Sequence, residues 1–205
     1  MPGKVLWHVT MSLDGYIAGP DDSMDWVPAR APSAERAAVA ERVVAGTGAI
    51  LAGRRWYELT RTRLGGTAGI YGGRWRGPVF VLTHRPPRPP ESIEDPAITF
   101  LSGGVERAIH TALIAATGRD VVLFGADIPR QALALRLVDE LVVHVAPVLL
   151  GGGVRLYGEG GAVRARLETV EVTRTGDQAD LRFRVRGRAP VRAGDGSVAT
   201  AVLPI

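Results

Sequence analysis

The sequence has no cysteine, a single lysine (Lys4), four histidines and few aromatic side chains, 6% of 205 residues. Without cysteine there is neither a disulfide framework nor a thiolate metal site. The four histidines lie far apart among scattered acids and form no ligand cluster, so no metal is expected. Long apolar runs are also missing. The longest candidate, LVVHVAPVLL at 141–150, is interrupted by His144 and Pro147 and falls short of the roughly 18 residues that suit a membrane span. The N-terminal MPGKVLWHVT has neither the apolar stretch nor the cleavage site of a secretory signal, and cytoplasmic residence is the simplest expectation. The formal net charge is +4, with arginines scattered from Arg30 to Arg192 and no basic helix or arm, so a nucleic-acid partner is not expected.

What is present is a chain long enough for one domain with a full core. Apolar runs at 5–11, 49–52, 78–83, 97–101 and 121–124 read as buried strands. Helical patterns separate them: Ser33 stands as an N-cap for an alanine-rich helix from Arg36 to about Val44, a short helix opens at Arg54, and further helices run to about Ala116 and Leu137. In the third of these the segment Ser102-Gly103-Gly104-Val105-Glu106 supplies a hydroxyl, two glycines and an early acid. Beyond Leu137 the pattern changes. A long strand at 139–150 and the turn GGG at 151–153 lead into alternating runs at 166–174 and 180–187 that read as an antiparallel pair. Alternation of strands and helices argues for a largely parallel α/β sheet with antiparallel edges at the C-terminal end. Residues 1–187 are expected to form the domain, and 188–205 a tail or an added edge strand.

In such a sheet, ligands collect at the carboxyl ends of parallel strands, where helix N-termini offer backbone N–H groups. Four junctions have that character: MSLDG, AGRRW, SGGVE and FGAD. Amide-rich junctions converging on one side suit an extended anion such as a dinucleotide. No strand, however, is followed by the G-x-G-x-x-G that opens a helix in the usual dinucleotide fold.

The segments MSLDGYIAGPDDSMDW, ILAGRRWYE, PVFVLTHRPP, SGGVERAI and VDELVVHVAPVLLGGGVRLY, in this order, resemble the dihydrofolate-reductase-like superfamily. More closely they resemble stand-alone relatives of the C-terminal reductase domain of bacterial bifunctional riboflavin-biosynthesis deaminase-reductases. The resemblance implies a three-layer α/β/α sandwich with NADPH as cofactor and a small-molecule substrate. It places Thr10, Ile17 and Ala18 beside the nicotinamide, with loop 14–26 as a mobile flap. Gly53, Arg54, Arg55 and Trp56 would meet the phosphates. Leu82, Thr83 and His84, with Arg85 following, would flank the adenosine and its extra phosphate, Ser102 and Gly103 would lie near the adenine, and Phe124, Gly125, Ala126, Asp127 and Ile128 would carry the pyrophosphate.

The resemblance also implies substrate contacts at His8, Tyr16, Trp26 and His144. Tyr16 stands where riboflavin-pathway reductases commonly carry a basic residue. Asp14 either orients the flap by hydrogen bonds or helps deliver a proton to the reduced substrate, while Asp21, Asp22 and Asp25 read as turn and capping residues in solvent. Hydride transfer to a C=N or C=O bond of a pteridine- or pyrimidine-like substrate is the function implied. A non-catalytic nucleotide- or flavin-binding protein of the same fold is the alternative, and homodimerisation follows from related reductases that pair through sheet edges and loops.

Overall fold

The computed structural model describes residues 3–27, 41–63, 66–86, 95–158 and 164–187. The sequence's Ser33 cap and the start of its helix at Arg36, and the expected tail at 188–205, lie outside these residues. Eight strands form one sheet: β1 (Val5–Ser12), β3 (Thr47–Gly53), β4 (Val79–Leu82), β5 (Ile98–Leu101), β6 (Asp120–Leu123), β7 (Glu140–Ala146), β9 (Leu167–Thr175) and β10 (Gln178–Val185). Their spatial order is β5-β4-β3-β6-β1-β7-β10-β9. The first six are mutually parallel, and β10 pairs antiparallel with both β7 and β9. Two short strands, β2 (Tyr16–Ala18) and β8 (Val154–Arg155), form a separate antiparallel ribbon.

Strands sandwiched between two helical layers must be apolar on both faces, and alternate residues of β1 show it. Trp7 packs in one core with α2 (Val105–Ala115) and α3 (Asp127–Ala134), through Val105, Ile109, Ile128 and Leu133. Leu6 packs in the other, with Tyr57 of α1 (Arg54–Arg63), Val43 of the helical segment 41–46, and Ile70 and Trp75 from the glycine-rich connection. Trp7 is 1% exposed, and its Nε1–H donates to Gly125 O (3.1 Å), which fixes β1 against the turn after β6. Burial of a side chain of this size contributes roughly 1.5–3 kcal/mol. The arrangement is the expected three-layer sandwich with a mostly parallel sheet and antiparallel C-terminal strands.

Several boundaries differ from the sequence pattern. The expected strand 139–150 stops at Ala146, since Pro147 lacks an N–H for the ladder and the next residues turn to meet the flap. The helix expected to reach Leu137 ends at Ala134, and Arg136 takes a left-handed conformation (φ 58°). The N-cap of α2 is Gly104 with no side-chain cap bond, so the Ser102 hydroxyl does not cap it. No described helix is long and apolar enough to cross a membrane.

Candidate active site

Loop 12–26 leaves the carboxyl end of β1 and is tied down at once. Ser12 Oγ–H donates to Asp14 Oδ1 (2.6 Å), and the Asp14 carboxylate also accepts from the N–H groups of Leu150 (3.1 Å) and Gly151 (2.7 Å). The Ser12 hydroxyl, then these backbone amides, hold the Asp14 carboxyl down at about 2. These bonds orient the loop, and a carboxyl so stabilised as its anion is ionised near neutral pH and carries no proton to give. The GGG segment is the seat of the loop rather than a hairpin turn. Gly151 supplies an amide to Asp14, and a Cβ at Gly153 (φ 118°) would lie 2.1 Å from Ala18 O. Only glycine admits that approach.

The expected substrate contacts divide. Tyr16 is buried in the β2–β8 ribbon, and the Arg155 guanidinium lies 4.6 Å above its ring. Its ring is therefore used within the flap and covered by an exposed cation. Trp26 spends its indole N–H on Ser23 O (3.0 Å), closing its own loop. Asp22, expected to be solvated, instead pairs with Arg55 (2.6 Å) and is only 18% exposed in its side chain. Asp21 and Asp22 carbonyls also accept from the Arg63 guanidinium.

Most of the expected cofactor residues lie at or just after the carboxyl ends of β1, β3, β4, β5 and β6. Thr10 is half-buried on β1, while Ile17 and Ala18 are buried in the flap. Gly53 ends β3 and α1 begins at Arg54, whose guanidinium bonds Glu58 (2.6 Å) and Arg85 O (2.6 Å). Leu82 ends β4. Thr83 is buried with its hydroxyl accepting from Arg85 N–H (3.1 Å), and His84 and Arg85 are exposed. Ser102, Gly103 and Gly104 are exposed ahead of α2. Phe124 and Gly125 lead through Ala126, an N-cap without a side-chain bond, into Asp127 and Ile128 of α3. Trp56 packs against Phe124 (5.6 Å between centroids). At Gly103 and Gly125, both at positive φ, an added Cβ would meet open space. Neither helix start carries a side-chain cap bond.

Beside this rim lies a polar chain across the sheet that the sequence pattern only half reveals. His8 on β1 and His144 on β7 share a face and join through their Nε2 atoms (2.7 Å). His8 Nδ1 meets the Tyr71 hydroxyl (2.9 Å), and His144 Nδ1 donates to Asp180 of β10 (2.5 Å). Asp180 is 4% exposed and also accepts from Thr175 Oγ1–H and Gln178 Nε2–H (2.6 Å). Burial would raise its carboxyl, but His144 and the two neutral donors outweigh that and hold it at about 2. Desolvation lowers His8 to about 3, with His144 adding to the effect. Sequence reasoning found both histidines and missed Tyr71, Asp180, Thr175 and Gln178. Strand register could have exposed Asp180, which faces His144 directly across the β7–β10 pair. An apolar cavity of about 220 Å³ lies elsewhere, lined by Trp7, Leu133, Leu141, Leu156, Tyr157 and Leu167. Among the described residues no cluster of three or more His, Asp or Glu could hold a metal.

The profile of the RibD C-terminal domain matches residues 106–181. The chain is 29% identical over 180 residues to the riboflavin biosynthesis protein RibD of Mycobacterium tuberculosis, covering 82% of this chain and 50% of that one. It is a relative of the RibD C-terminal domain. The chain spans about half the length of that RibD. Protein YwjB of Bacillus subtilis is 26% identical over 164 residues, with 78% of this chain and 85% of YwjB covered. A crystal structure from Shewanella, named for riboflavin biosynthesis, superposes with TM-score 0.70 at 22% identity, covering 89% of this chain and 99% of its own. The profile match and the Shewanella superposition support the fold of a RibD C-terminal domain.

Proposed function

We propose that the protein is an NADPH-dependent reductase that transfers hydride to a C=N or C=O bond of a small pyrimidine- or pteridine-like heterocycle. The observation that carries this reading is a pair of helix starts without side-chain caps, at Gly104 and Ala126, with open space beside Gly103 and Gly125 at one end of a RibD-like sheet. Helix N-termini favour an anion by about 0.3–1 kcal/mol per interaction at exposed sites. The pyrophosphate would lie against Gly125–Ile128 and Gly53–Trp56, the adenosine with its phosphate against Leu82–Arg85, Ser102 and Gly103, and the nicotinamide beside Thr10, Ile17 and Ala18. Bound there, the dinucleotide supplies the hydride.

The chain's own residues do the rest. Asp14, Gly151 and Gly153 hold the flap at the mouth of β1, so that the reacting end is bounded by buried Ile17 and Ala18 rather than by water. Arg155, lying over Tyr16, returns a cation to the neighbourhood where related reductases carry a basic residue, which favours a substrate bearing an anionic group. Homodimerisation belongs to the same reading: β9 is an edge strand that exposes Val170 and Val172. Cytoplasmic residence does too.

Titration calorimetry with NADPH, NADH and FMN on wild type and on an Arg54→Ala/Arg55→Ala double variant tests the reading. NADPH binding that weakens severalfold in the variant supports it. Binding of FMN without NADPH overturns it in favour of a flavin-binding protein of the same fold.

A further inference from the structure

We propose that Tyr71, His8 and His144 form a proton wire that supplies the proton of the reduction. Tyr71 is the catalytic residue that hands the proton to substrate, and Asp180 is the positioning residue that holds the inner end. The inference rests on the reductase reading above, since hydride addition to a C=N or C=O bond leaves the nitrogen or oxygen needing one proton.

The orientation of every hydrogen in the chain follows from its inner end. An ionised Asp180 accepts only, and it takes bonds from Thr175, Gln178 and His144. His144 Nδ1 therefore carries a proton. With one proton per ring, His144 Nε2 is bare and accepts from His8 Nε2–H, which leaves His8 Nδ1 bare to accept the Tyr71 O–H. With one more proton on His144, each link reverses without any heavy atom moving. His144 Nε2–H then donates to His8 Nε2, His8 Nδ1–H donates to Tyr71 Oη, and the Tyr71 O–H, which also has Thr47 beside it, is released from His8.

Delivery runs this second arrangement back into the first. An N–H or O–H bond forms on the substrate as the Tyr71 O–H breaks, Tyr71 regains hydrogen from His8 Nδ1, and His8 Nε2 takes it from His144 Nε2. The net change is one proton from the His144 imidazolium to substrate, and solvent recharges the dyad. His8 changes tautomer but never charge, which suits a ring whose own protonation is pushed down to about 3.

Both nitrogens of His8 and of His144 are engaged within the chain, and Tyr71, whose buried hydroxyl also lies against Thr47 and is pushed well above the usual phenol range, is its outer member. Its ring meets Phe124 (5.8 Å), the residue before Gly125. Tyr71 sits at φ 51°, an unusual conformation for a non-glycine residue, within the turn Gly66–Gly73. The charges around the inner end are already compensated. Arg42, Glu171 and Arg182 line the space beside Asp180, but Arg42 pairs with Glu171 (2.9 Å) and Arg182 with Glu140 (2.6 Å). Asp14, the other candidate donor, is committed to the flap.

Histidine ring ¹⁵N spectra of the full chain between pH 9 and pH 5 test the wire, with His84 and His110 as internal references. The expected result is opposite tautomers at high pH, with His8 protonated at Nε2 and His144 at Nδ1, and a switch of His8 to Nδ1–H as the dyad takes up one proton. Asp180→Asn should move that uptake to lower pH. A His8 that keeps one tautomer throughout, or two rings that titrate independently like free imidazoles, overturns the wire. Tyr71→Phe should keep the NADPH dissociation constant within about threefold and slow single-turnover reduction by about 10²-fold, the scale of a lost general acid. Unchanged single-turnover rates in Tyr71→Phe overturn the role of Tyr71. Failure of wild type to bind NADPH would overturn the reductase reading itself, independently of the tautomer result.

Discussion

The rim of the site and its floor are built on opposite plans. At the rim, helix starts at Gly104 and Ala126 carry no side-chain cap, and Gly103 and Gly125 face open space. On the floor, the side chains linking Tyr71 to Asp180 are partnered within the protein, and Asp180 accepts from three donors. On the proposed reading, the contrast separates binding from proton handling. Uncapped helix starts favour a ligand's negative charge, while a closed chain can keep its geometry and exchange only the positions of hydrogens.

The largest break in this contrast should come from the floor. Asp180→Ala leaves three donors without their acceptor, and urea unfolding should show a loss of about 3 kcal/mol. Loss of less than about 1 kcal/mol would mean the floor is not a satisfied network.

The parallel half of the sheet was legible in the sequence because its strands are buried on both faces and read as apolar runs separated by helical patterns. The antiparallel pair was legible from alternation, with β9 and β10 meeting at Gly176-Asp177. The glycine and charged residues directly after the strands were legible too, as local signals. The floor was not, because its contacts are long-range: His8 and His144 are 136 positions apart and His144 and Asp180 are 36. Tyr71 lay hidden in a glycine-rich connection whose turns are set by the packing of Ile70 and Trp75. Arg54 and Arg55, read as phosphate ligands, also carry bonds to Glu58 and Asp22 that local pattern does not announce.

The seat of the flap offers the next test. Gly153→Ala forces a side chain against Ala18 O at positive φ and should cost about 1–3 kcal/mol. Gly152→Ala meets open space and should stay within about 0.5 kcal/mol by the same measurement. Equal effects would contradict the close approach that seats the flap.

Acid sharpens the comparison by acting on groups in turn. His8, lowered from 6.5 to about 3, remains neutral in the folded chain while its unfolded counterpart takes a proton, so stability should fall as pH drops below 6.5. Asp14 and Asp180, both lowered from 3.8 to about 2, contribute stability that is full above 3.8 and lost as pH falls through about 2. In Asp14→Asn, hydrogen exchange at Leu150 and Gly151 should quicken, while the floor keeps its protection. The smallest effect belongs to Arg55→Ala. Its ion pair with Asp22 is largely exposed on the arginine side, so stability should change by less than about 1 kcal/mol, with the difference shrinking in salt.

The most direct measurement of the central claim is a backbone amide ¹H–¹⁵N map of the full chain as NADPH is added. The largest shifts are expected at Gly103–Val105, Gly125–Asp127 and the Arg54–Arg55 helix start, with smaller ones along the flap at Ile17 and Ala18. Shifts confined to the apolar cavity around Leu156 and Tyr157, or none at all, would contradict it.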